Sequence, residues 1–132
     1  MALSAKRIIL WRAEVDNRPG ALAGVLAPLA EAGADLEVVM GYRHPGHEDK
    51  AAIEVYPVAG KKLTSAAKTA GLQPASIPAL HLEGDDKPGL GYTIAQALAG
   101  AGVNLAFFVA QVIGMKYSAV AVLRLRTTRK RR

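Results

Sequence analysis

The chain has no cysteine among its 132 residues. Disulfide staples and thiolate-held metals are therefore excluded. Aromatic residues make up only 5% of it, far from the aromatic-rich sheets on which bases stack. Its two phenylalanines, Phe107 and Phe108, are neighbours, so on a strand they point to opposite faces. No apolar run approaches the ~20 residues of a membrane span, and the short apolar run 8–11 is not a signal-peptide core. Nucleophiles placed for catalysis are also missing. Ser4, Ser65, Ser76 and Ser118 lie in no nucleophile elbow, and the glycines form neither a dinucleotide fingerprint nor a phosphate loop. The expectation is a cytoplasmic protein without catalytic residues, cofactor, metal or membrane partner.

Charge of one sign is scarce except at the end. The formal net charge is +6, but Arg124, Arg126, Arg129, Lys130, Arg131 and Arg132 supply it. Without them, 11 basic residues face 11 acidic ones. The basicity belongs to a tail, residues 126–132, expected to be disordered, rather than to a folded nucleic-acid-binding face. His44 and His47 flank Pro45-Gly46 beside Glu48 and Asp49, a pattern that reads as a solvated turn before it reads as a metal site.

What is present is a repeat. Pro19-Gly20 recurs as Pro88-Gly89, Gly33 as Gly102 and Leu36 as Leu105, always 69 residues on. A constant offset through strand, turn, helix, turn and strand means two copies of one module. The spacing predicts strands at 6–15, 35–42 and 51–58, helices at 20–32 and 61–72, and a polar hairpin loop at 43–50. In the second copy it predicts strands at 77–83, 104–112 and 118–125 and a helix at 89–101. Leu22, Val25, Leu26 and Leu29 form one apolar stripe at helical spacing. Asp16 or Asn17 is placed to cap the first helix. Matching residues 51–53 to 118–120 gives an offset of 67 in the second hairpin. The second copy stops after βαββ, which leaves an edge unpaired or a sheet face open and suggests association.

Asp-x-Arg-Pro-Gly-Ala-Leu followed by an apolar helix and Ala-Glu-Ala-Gly-Ala-Asp-Leu resembles the ACT domain, and Asp-x-Lys-Pro-Gly-Leu with Ala-Gly-Ala-Gly-Val-Asn-Leu resembles a second one. The resemblance covers residues 6–125. It implies an α+β, ferredoxin-like fold: two tandem βαββ(α)(β) modules with antiparallel sheets, at 6–75 and 76–125, the second C-terminally shortened. It further implies a small stand-alone tandem protein of regulatory or sensor type, a homodimer acting on a metabolic enzyme or other regulated protein. Its amino-acid ligand would lie at the strand-to-helix turn, at the contact between modules. The alternative is a structural or protein-interaction module without ligand, contacting nucleic acid through its basic tail.

Physical chemistry points to the same turns. A helix start offers unpaired N–H groups and positive dipole, which suit a carboxylate. Gly20 and Gly89 let the backbone approach, and Pro88, Leu90, Ala21 and Leu22 complete the turns. The ammonium needs an acceptor: Asp35 and Asn104 after the helices, or Asp16, Asp85 and Asp86 before them, with Asn17 alongside. Gly91 stands where the first copy has Leu22, so the second turn is expected to be the roomier.

Overall fold

The computed structural model describes residues 3–124; the basic tail lies outside them. The chain divides into two compact units, one of residues 9–76 and one joining the chain's start, up to Ile8, to residues from Ile77 onward. Among the described residues no helix is long and apolar enough to cross a membrane.

The unit of residues 9–76 runs β2 (Trp11–Asp16), α1 (Ala21–Glu31), β3 (Val38–His44), β4 (His47–Tyr56), α2 (Lys61–Thr69) and β5 (Gln73–Pro74). Its strands pair antiparallel in the order β3-β4-β2-β5. That is the ferredoxin-like βαββαβ order. Alternation along the strands sends Ala13, Ile53 and Val55 to one face, where Val25 and Leu29 of α1 and Ala67 of α2 close an apolar core over them,. Both α1 and its counterpart in the second copy start behind a left-handed glycine, Gly20 at φ 89° and Gly89 at φ 86°. A side chain would strain the backbone there, which is why the Pro-Gly pair recurs.

The second unit carries β6 (Ala79–Asp85), α3 (Leu90–Gly100), β7 (Asn104–Ile113) and β8 (Lys116–Arg124). Its fourth strand is β1 (Ser4–Ile8), and the order is β1-β6-β8-β7. β1 lies beside the strand that precedes the helix, the place β5 takes in the first unit. The sheet of the shortened copy is therefore completed by the chain's own start. The single expected strand at 6–15 is instead two strands of two sheets. Ile8 and Leu10 are buried while Ile9 is 41% exposed. An unbroken apolar run contains nothing that marks such a crossing.

Two further expectations change. The polar stretch 43–50 is a tight turn at Pro45-Gly46 between strands that extend into it. The hairpin register also differs: Ala13 pairs with Ile53, and Leu82, 69 residues on, pairs with Ala119. Ile53 thus corresponds to Ala119, an offset of 66 rather than 67. On a strand that single residue exchanges the faces. The excess in the first copy is residues 48–50, between the pairs Arg43–Ala51 and His44–His47.

Candidate ligand clefts at the strand-to-helix turns

The first turn is built against that excess. Asn17 donates its backbone N–H to Asp49 O and its side-chain amide to Glu48 O, both at 2.8 Å. Asp16 Oδ1 accepts from Lys50 Nζ at 2.8 Å, and this ammonium holds the Asp16 carboxyl below the usual carboxylate range. Contrary to expectation, neither residue caps α1, which has no side-chain cap hydrogen bond. Both side chains are drawn to the bulged hairpin instead, and the start of α1 is left without a side-chain acceptor.

Between this turn and the sheet lies a cleft of about 240 Å³. Asp16, Asn17 and Arg18 line it from the turn, Ala21 and Leu22 from α1, Gly41 and Arg43 from β3, and Ala51 from β4. Its floor is low because Gly41 and Ala51 are small. A β-carbon on Gly41 would come within 3.8 Å of Leu22 Cδ1. Two guanidinium-bearing residues and the positive end of α1 converge on a space that suits a small carboxylate.

The second turn repeats the frame and changes the filling. Lys116 Nζ donates to Asp85 Oδ1 at 2.7 Å, and Asp86 donates its N–H to Met115 O at 2.8 Å. α3 again has no side-chain cap hydrogen bond. Ala51 corresponds to Tyr117, since Val15 pairs with Ala51 and Gly84 with Tyr117. A β-carbon on Gly91 would stand 3.5 Å from Tyr117 Oη. The room expected beside Gly91 is met by the tip of that side chain, its hydroxyl. Tyr117 is buried, its hydroxyl has no hydrogen-bond partner, and burial, then the Asp86 charge, raises its pKa. A cleft of about 500 Å³ nearby is lined by Ser4, Glu83, Gly84, Asp85, Lys116, Tyr117 and Ser118; Pro88, Gly89, Leu90 and Gly91 contribute nothing to it.

No family profile matches the chain, and no curated protein does. Solved structures do. A protein of Bacteroides thetaiotaomicron, BT0572, superposes over 90% of this chain and 81% of its own with TM-score 0.73 at 15% identity. The regulatory subunit of aspartate kinase from Thermus thermophilus, in its ligand-free form, covers 92% of this chain and 87% of its own with TM-score 0.62 at 16% identity. That of Thermus flavus covers 92% and 88%, with TM-score 0.56 at 18% identity. The likeness is one of fold.

Asp35 and Asn104 fall elsewhere. Each follows the helix whose start forms the turn, and an 11-residue helix is about 16 Å long at ~1.5 Å per residue. Within one module the structure does not bring them to the turn. Arg18, Tyr42 and Arg43, absent from the expected site, line the cleft instead. Arg18 sits inside the Asp-x-Arg-Pro-Gly phrase, which recurs with Lys87 in its place, a signal that was there to be read. Arg43 and Tyr42 reach the cleft through strand pairing, which local sequence does not reveal. His44 and His47 stack edge to face at 5.4 Å, and His44 Nε2 lies 3.1 Å from Glu14 Oε2.

Proposed function

We propose that this chain is an ACT-like regulatory protein that binds a small α-amino acid in the cleft at the β2–α1 turn and performs no chemistry of its own. The observation that carries the reading is the convergence of Arg18, Arg43 and the uncapped start of α1 on one small cleft. The carboxylate would rest against the helix start and the guanidiniums; Asp16, which lines the cleft while its Oδ1 accepts from Lys50, would offer its other carboxylate oxygen to the ammonium. Asp35 can take part only when supplied by another module or another copy of the chain. The fold shared with aspartate kinase regulatory subunits supports a regulatory role.

The test is a thermal-shift screen against the twenty amino acids. A ligand at about 100 times its Kd adds about 2.7 kcal/mol, which raises Tm by several degrees in a chain of this size. Arg43→Ala should weaken a hit about tenfold or more, the effect of losing a charge-assisted hydrogen bond of about 1.5–3 kcal/mol. Silence across the panel would overturn the reading.

A specific observation favours a second reading, an interaction module. β7 ends its sheet and carries no charged side chain over ten residues, and its Val109, Val112 and Ile113 are exposed. Homodimerisation through β7 is compatible with ligand binding; without a ligand it becomes the chain's principal activity.

A further inference from the structure

The two turns share a frame but differ at one pair of facing positions. In the first module the helix position holds a large residue and the strand position a small one, Leu22 and Ala51. In the second the sizes are exchanged, Gly91 and Tyr117. Leu22 lies over Gly41 and leaves the space above Ala51 open, where the cleft is found. Tyr117 reaches back under the first turn of α3 and stops 3.5 Å from where a β-carbon of Gly91 would be. Its ring packs with Leu82, Ile94, Ala119 and Ala121 in the second module's core, and only 6% of the residue is exposed. The cleft that Tyr117 does border draws on no residue of the α3 first turn.

We infer that Tyr117 is the residue that decides which module binds: its ring fills, in the second module, the volume that is the ligand cleft in the first, so each chain has one amino-acid site and not two. Gly91 serves this arrangement by making room for the tyrosine, not for a ligand. The closure depends on the bulk of the whole side chain: its hydroxyl, the atom that comes within 4 Å of that β-carbon position, is the tip of the plug and makes no hydrogen bond there. This inference rests on the reading of the first cleft as an amino-acid site.

The experiment is a backbone amide NMR titration of the whole chain with each of the twenty amino acids at millimolar concentration, comparing residues 17–22 with residues 86–91. Saturable shifts at 17–22 alone are expected. Tyr117→Ala should add a second set of saturable shifts at 86–91, and Tyr117→Phe should not. Shifts at 86–91 in the unaltered protein, or in Tyr117→Phe, would overturn the inference while leaving the first site standing. So would a folded Tyr117→Ala that gains none. Should that variant fail to fold, Ala51→Tyr provides the converse: on a half-buried position at the cleft floor, it should weaken the response at 17–22 at least tenfold, and an undiminished response would refute a steric plug. No shifts at either turn with any amino acid would overturn the proposed function, and this inference with it.

Discussion

At Glu54 a carboxyl is placed where water barely reaches, with 4% of the residue exposed. Its neighbours Ile53 and Val55 face the helices, so alternation turns Glu54 to the other side of the sheet. There Arg12 Nε lies 3.6 Å from Oε2, while Oε1 has no hydrogen-bond partner. Burial pushes the Glu54 carboxyl up from its ordinary 4.5; Arg12 and then Tyr42 pull it partly back. A raised carboxyl holds its proton more tightly folded than unfolded. The unfolded chain therefore loses that proton first, and this group's contribution to stability falls as pH rises from about 4.5 through the folded value. Asp16 and Asp85 act in the opposite sense: each is lowered by its lysine, so their contribution is present above 3.8 and fades as pH drops through the folded values. Both are solvent-exposed pairs, and screening keeps their effect small. Urea unfolding across pH 4 to 8 should show Glu54→Gln losing less stability with rising pH than the unaltered chain. Parallel curves would mean that Glu54 titrates normally.

Elements place these residues, and the least expected is β1. Ser4–Ile8 forms five cross-strand pairs with β6, each worth about 0.2–1 kcal/mol. Deleting residues 1–8 should then cost about 1–5 kcal/mol, and the loss should fall on the unit that carries β6. Hydrogen exchange should quicken at β6 while β2, which follows the deletion directly, keeps its protection; the reverse pattern would refute the strand assignment. The repeat made both strand-turn-helix units legible, because Pro-Gly and Gly at fixed spacing mark where helices start and stop. It could not show that residues 4–8 leave for the other sheet, since Ile8, Ile9, Leu10 and Trp11 are equally apolar on either side of the crossing. The turns were legible as candidate sites for the same reason as the helices. Their filling was not: the exchange of Leu22 and Ala51 for Gly91 and Tyr117 involves positions about 26–29 apart, brought together only by the hairpin register. A one-residue error in that register points Tyr117 to the wrong face, and Gly91 in place of Leu22, taken alone, makes the second turn look open.

Across the whole molecule the two modules repeat one strand order, yet their free edges are protected differently. β3 ends its sheet with Arg43 and His44 beside the hairpin irregularity, charge and distortion of the sort that discourages edge pairing. β7 has neither near its tip: Gln111, Val112 and Ile113 run straight into the turn, with Ile113 67% and Met115 82% exposed. The register shift of β7 lies at its other end, between Leu105 and Phe107. A long uncharged edge recruits another strand, and in a solution of one protein the strand at hand is a second β7. Antiparallel pairing of two copies would join their sheets and cover Val109 and Val112 on both. Val112→Lys places a charge on that edge at a position that is 49% exposed. Light scattering at micromolar concentration should give twice the chain mass of 13.9 kDa for the unaltered protein and the single mass for the variant. Val39→Lys, the same change on the exposed part of β3, should leave the dimer intact. A monomeric parent protein would remove the edge-pairing argument altogether. A dimer that survives Val112→Lys but not Val39→Lys would transfer the argument to β3, whose charged end would then be a means of setting register rather than a barrier.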